Sequence, residues 1–148
     1  MKKTIFVSLA ALTTLLTGCS TTFVSPDDAT GVAPMNFGTP SETETARIVF
    51  VRDAGFYGYI VPIVCMVNGA PAVSLYTSEK STIYVKPDQY SITCQGGDTI
   101  ASTIFLRAEP NSEIVLRTGF NGSYTRLYQA AKDGVYFSTN QNTQPINH

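Results

Sequence analysis

The 148-residue chain has one histidine, and it is the last residue, His148. A Ser-His-Asp or Cys-His arrangement needs an imidazole held in place as base, and a terminal histidine with nothing to order it does not supply one. No Gly-x-Ser-x-Gly elbow and no phosphate-binding glycine loop occurs. Charged residues make up only 14% of the chain and form no basic patch, which excludes nucleic acid as the expected partner. The cysteines lack C-x-x-C spacing, so neither a zinc site nor a redox motif is drawn, and no metal or cofactor is expected. No segment carries sustained helical periodicity or a solenoid-length repeat. Apolar runs are short as well. The longest, residues 5–16, rises only about 18 Å as a helix, against the roughly 30 Å of a bilayer core.

That run nevertheless has a meaning. Met1-Lys2-Lys3 is a positive n-region, Ile5 to Leu16 an apolar h-region, and small residues follow, which is the layout of a secretory signal. The order Leu16-Thr17-Gly18-Cys19 resembles the lipobox of bacterial lipoproteins. The resemblance implies that residues 1–18 are removed and that Cys19 becomes an acylated N-terminus. Several acyl chains anchor a protein firmly where one holds it only marginally. Ser20 and Thr21 follow, without the Asp that resembles an inner-membrane retention signal. The expected place is the outer membrane, facing the periplasm, with the membrane as partner through the N-terminal lipid.

Two of the ten basic residues and none of the eleven acidic ones precede Cys19, leaving eight against eleven in the exported part. With Cys19 acylated, Cys65 and Cys94 remain, and an oxidising compartment invites a disulfide between them. The alternative is two buried thiols.

Residues 19–45 hold Pro26, Pro34, Pro40, Gly31, Gly38 and many Ser and Thr, a composition expected to stay a flexible linker. Its Asp27-Asp28 pair reads as solvated. From Ala46 the texture changes. Arg47 to Arg52 is a β-branched and aromatic run, hence a strand. Tyr59 to Val67 is uncharged and reads as a strand covered on both faces, with Pro62 marking an edge or bulge. Asn68-Gly69 is a strong hairpin signal, and Ala72 to Tyr76 returns. Thr82 to Lys86, Pro87-Asp88 and the alternating Tyr90, Ile92, Cys94 give strand, turn and half-buried strand. Ser102 to Arg107 and Glu113 to Thr118 follow, then a loop at Gly119 to Gly122. Tyr124 to Ala131 is ambiguous but leans to strand, and Val135 to Thr139 is a strand. Residues 46–139 are thus expected to form one all-β antiparallel sandwich of eight or nine short strands, and 140–148 a polar tail.

The run Ile48-Val49-Phe50-Val51-Arg52, the hairpin Val67 to Leu75, the turn Val85 to Tyr90 and the pair Leu127 to Phe137 resemble the domain-of-unknown-function family 2846, found in small bacterial lipoproteins. Asp88 stands where that pattern has Gly. The resemblance implies a β-sandwich in the cell envelope and no catalytic residue.

Candidate contact residues remain. Phe56, Tyr57 and Tyr59 flank glycines in a loop, which suits a contact patch or a plug at the end of the sandwich. Tyr124, Arg126 and Tyr128 share one face at strand spacing and form a second stripe. A carboxylate pair for glycoside hydrolysis could be drawn from Asp53, Glu79, Asp88, Asp98, Glu109, Glu113 or Asp133, but all except Glu113 lie in predicted turns, where solvation is expected. The expectation is a non-enzymatic lipoprotein with a structural or protein-interaction module and a protein partner in the envelope. The alternative is a small-ligand or glycan-binding lipoprotein using the aromatic loop, and an envelope hydrolase comes third.

Overall fold

The computed structural model describes residues 22–43, 45–55, 58–130 and 136–137. Within them lie β1 (Thr30–Gly31), β2 (Ala46–Arg52), β3 (Ile63–Val67), β4 (Ala70–Leu75), β5 (Glu79–Val85), β6 (Asp88–Gly96), β7 (Ser102–Ala108), β8 (Glu113–Asn121), β9 (Tyr124–Ala130) and β10 (Tyr136–Phe137). They build two packed sheets, one of six strands in the order β1-β5-β2-β8-β9-β10 and one of four in the order β4-β3-β6-β7. The expected all-β sandwich is therefore present, with one refinement. β2 pairs with β8, and β1 with β5, in parallel, so the larger sheet is mixed.

Side-chain alternation explains the layers. In β7, Ile104, Leu106 and Ala108 turn inward while Thr103, Phe105 and Arg107 face out. Ile48, Phe50, Ile83 and Leu116 from the larger sheet meet Ile63, Leu75 and Ile92 from the smaller one. Fully burying each such side chain contributes about 1.5–3 kcal/mol. Asn68 and Gly69 both take positive φ, at 48° and 81°, as a two-residue hairpin of this kind requires.

Cys65 and Cys94 are directly opposed on β3 and β6 and are joined by a disulfide, with 4.1 Å between their Cα atoms. Both are fully buried.

Several boundaries differ from expectation. β3 starts only at Ile63, so Pro62 precedes the strand, and the irregularity lies where β4 inserts Ala72 opposite Cys65 and Met66. Nor is β3 covered on both faces: Val64 and Met66 on its outer side are only half-buried. The strand with two buried faces is β2, whose outward Val49 and Val51 are as buried as its inward Ile48 and Phe50. The loop expected at Gly119 is the end of β8, which continues to Asn121.

The largest departure concerns the expected linker. Of its described part, residues 22–43 and 45, the stretch 22–37 lies along the sandwich as a strap. Thr22 makes a two-bond antiparallel bridge with Ala54, at 2.7 and 3.0 Å. Ala29 is buried, with Val24 beside it, against Val49, Val51 and Val115 on the outer face of the six-stranded sheet. β1 then pairs with β5, and Met35 and Asn36 donate to the carbonyl of Ala72 on β4. The strap thus crosses the open edge between the two sheets. Composition alone undercounts such a segment, because the apolar surface that it buries belongs to β2 and β8.

The register places the connections 53–62, 76–78, 97–101 and 122–123 at one end of the sandwich, here termed the loop end. The turns at 68–69, 86–87 and 109–112 lie at the opposite end.

Candidate functional site

The most concentrated polar chemistry lies under the strap, just past the end of β2. Asp53 is 5% exposed and Arg117, on β8, is fully buried. β2 and β8 run in parallel register, so the outward Val51 sits beside Arg117 and Asp53 follows at the next outward position. Asp53 Oδ1 accepts from Arg117 Nη2 and from the backbone N–H of Val24, the latter at 3.3 Å. Asp53 Oδ2 accepts the Tyr128 hydroxyl at 3.0 Å. Arg117 Nη2 also donates to the carbonyl of Val24 at 2.6 Å, and the guanidinium lies 3.4 Å over the ring of Phe23. A buried charge pair is tolerable only when its remaining donors and acceptors are met. Here the carboxylate is well satisfied, while Nε and Nη1 of Arg117 find no hydrogen-bond partner among the described residues.

Tyr128 responds to this setting. Burial, then the neighbouring Asp53 charge and the hydrogen bond to it, push its phenol up to about 12. The cluster is a latch: one carboxylate ties the strap, β8 and β9 together. A carboxylate already holding three donors has little left to offer as a base or nucleophile.

A second arginine organises the loop end. Arg52, on the inward side of β2, is 1% exposed. Its Nη1 donates to the carbonyls of Val61 and Leu75 at 2.6 and 2.8 Å, and its Nη2 to that of Gly58 at 2.6 Å. The guanidinium stacks 5.0 Å from the centre of the Phe120 ring. Burial lowers its pKa to about 10, with Glu79 acting in the opposite direction, so it stays charged at neutral pH. Gly58 and Gly96 clasp the same ring, and a Cβ on either would fall 2.3 or 2.4 Å from Phe120.

The outer face of the four-stranded sheet is different. Phe105 is 84% exposed at its edge strand, β7. It borders a shallow groove of about 470 Å³ lined also by Asn68, Gln89, Tyr90, Ser91 and Arg107. Asn68 Oδ1 accepts the Ser91 amide at 2.9 Å, and Thr93 and Thr103 share a hydrogen bond of 2.8 Å.

The residues singled out from sequence differ in where the structure places them. Cys19, Phe56, Tyr57 and His148 lie outside the described residues. Tyr59 is 58% exposed at the loop end. Tyr124, Arg126 and Tyr128 share the outer face of β9 as their spacing requires, but they do not form one open stripe. Tyr128 belongs to the latch, Arg126 is half-buried beside Gly119, and Tyr124 accepts a hydrogen bond from Asn121. Asp53, expected to be solvated in a turn, is instead buried, because the strap covers it. Glu113 pairs with Arg47 on the surface and Glu109 with Arg107. Among the described residues, no group of three metal-ligating side chains comes together.

Sequence reasoning missed Arg117 and Phe105. A charged residue directly after the apolar run Ile114 to Leu116, inside a segment read as a strand, was a signal for the first. Alternation marks Phe105 as outward, but not as uncovered. Comparison with protein-family models, curated proteins and solved structures returns no match.

Proposed function

We propose that the protein is a lipid-anchored envelope protein, acylated at Cys19, that presents a β-sandwich as a non-enzymatic structural or interaction module at the outer membrane. The observation that carries this reading is the Cys65–Cys94 disulfide, which suits an oxidising, exported setting of the kind that the Leu16 to Cys19 pattern implies. The state of Asp53 adds support for a binding rather than a catalytic role, since the buried carboxylate holds a strap in place. Envelope location and a sandwich fold are also what the resemblance to family 2846 would imply.

The test is mass and partitioning. The mature protein should carry acyl groups on Cys19 and enter the detergent phase. Cys19→Ser should accumulate as an uncut, unacylated precursor. A Cys19→Ser protein that still partitions with detergent at the mature mass would sink the reading.

A second reading is a glycan-binding lipoprotein. The exposed Phe105 favours it, because an aromatic ring bordered by Asn68, Gln89 and Arg107 suits stacking on a sugar with hydrogen bonds at its rim. This moves the candidate surface from the aromatic loop to the open sheet. Peptidoglycan pelleting of wild type against Phe105→Ala tests it, and equal pelleting removes it.

A further inference from the structure

Large apolar side chains are exposed unevenly along this sandwich. Tyr59 (58%), Ile60 (71%), Tyr76 (48%), Ile100 (70%) and Tyr124 (47%) are all exposed on the connections of the loop end or immediately beside them. Among the described residues, the turns Asn68-Gly69, Lys86-Pro87 and Glu109-Pro110-Asn111-Ser112 at the opposite end expose none themselves, while Met35 (56%) and Phe37 (37%) on the strap lie beside that end and Phe105 lies on the open sheet face. The strap begins at the loop end too, where Thr22 is bridged to Ala54, two residues past the end of β2.

The number of residues before that bridge then matters. Thr22 is the third residue after Cys19. Whatever conformation the intervening residues adopt, a chain of that length spans at most about 10 Å. A freely jointed linker of some 25 residues would instead have let the domain stand roughly 25–30 Å away. The latch holds the strap down, since Asp53 accepts from the Val24 amide and Arg117 donates to the Val24 carbonyl.

We propose that the loop end rests on the lipid surface that carries the acylated Cys19, with Tyr59, Ile60, Ile100 and Tyr124 in the headgroup region. The inference rests on acylation of Cys19 and deepens that reading by giving the domain an orientation. Tyrosine suits the site, with an apolar ring and a polar tip at the interface. Isoleucine contributes apolar burial alone. Attraction to anionic lipid is not the cause, because the charge in the 97–101 connection is the acidic Asp98. Seating should therefore be equal on zwitterionic and anionic vesicles and insensitive to salt.

The chain has no tryptophan, so a single introduced one reports its own surroundings. Ile60→Trp, Ile100→Trp and, at the far end, Lys86→Trp are made in the acylated mature protein. All three positions are exposed, and denaturation midpoints check that each variant is folded. Each is reconstituted into phosphatidylcholine vesicles with acyl chains brominated near the headgroup. Ile60→Trp and Ile100→Trp should shift to the blue and lose at least about half their emission, as expected some 5–10 Å into the interface. Lys86→Trp should be unaffected. Acylated, vesicle-bound protein in which all three emit alike would overturn the orientation and leave the lipoprotein reading standing. A mature mass without acyl groups would remove both.

Discussion

The two sheets of this sandwich are secured by opposite means. The six-stranded sheet is held from outside: a strap covers Val49, Val51 and Val115, and a buried Asp53–Arg117 pair fastens it. The four-stranded sheet has an open outer face, with Phe105 and Arg107 in solvent, and is fastened from inside by the Cys65–Cys94 bond between its central strands. The difference follows from composition. β2 is apolar on both faces and needs a cover. β6 and β7 alternate strictly enough to meet water on one side, with Ser91, Thr93 and Thr103 outward. A small domain can therefore meet the demands of two unlike sheets with one ion pair and one covalent bond.

Breaking the latch should have the largest effect. Asp53→Ala leaves Arg117 buried without its counter-charge, which costs about 3–5 kcal/mol. Urea denaturation should show that loss, and limited proteolysis should open first within residues 22–43. A variant that keeps its strap protected would show that the pair does not fasten it.

Breaking the internal fastening comes next. Cys65→Ser with Cys94→Ser should cost about 3–4 kcal/mol for a closed loop of some 30 residues. The loss should appear as a lower urea midpoint, with the strap still resistant to protease.

A subtler effect sharpens the chemistry of the latch. The Tyr128 phenol, raised to about 12, stays protonated in the fold at pH values where it would ionise in the unfolded chain. Its contribution to stability is full below about pH 10 and is lost as pH rises toward 12. Tyrosinate absorbance isolates this group from Arg52, whose lowered pKa acts in the opposite direction over the same range. One tyrosine should titrate late in wild type and move toward its ordinary value in Asp53→Asn. No late-titrating tyrosine would contradict the latch geometry.

The smallest effect belongs to the bare face. Phe105→Ser should change stability by no more than about 0.5 kcal/mol, as at an ordinary surface position. A larger loss by thermal melting would mean that the face is not open in solution.

Much of this was legible in the sequence because it is local. The alternation of Tyr90, Ile92 and Cys94, the Asn68-Gly69 turn and the strand at Tyr124 each depend on a few neighbouring residues. The strap and latch are not local. Val24, Ala29 and Val32 are too sparse to suggest burial until the outer face of β2, for the first two, and the main core, for the third, supply a surface, and Asp53 meets Arg117 across 64 positions. Absence of charge misled at Tyr59 to Val67, because an uncharged run does not say whether anything lies over its outer face. The uncharged run Ile48 to Val51 was the better signal for a strand covered twice.

The parallel pairing of β2 with β8 has a consequence for the order of assembly. Arg47 is hydrogen-bonded through its amide to Ser112, so the first long strand waits for one of the last. Closing so long a loop is entropically costly and slow compared with forming hairpins. β3 with β4, and β6 with β7, join neighbours in sequence. The expected sequence of events is that the smaller sheet forms first and the larger one closes on it, with the strap last. Pulsed hydrogen exchange during refolding should find β6 and β7 protected before β2, and the reverse order would refute this. A chain emerging from its N-terminus would then present Cys19, the proposed anchor, long before the sandwich that follows it is complete.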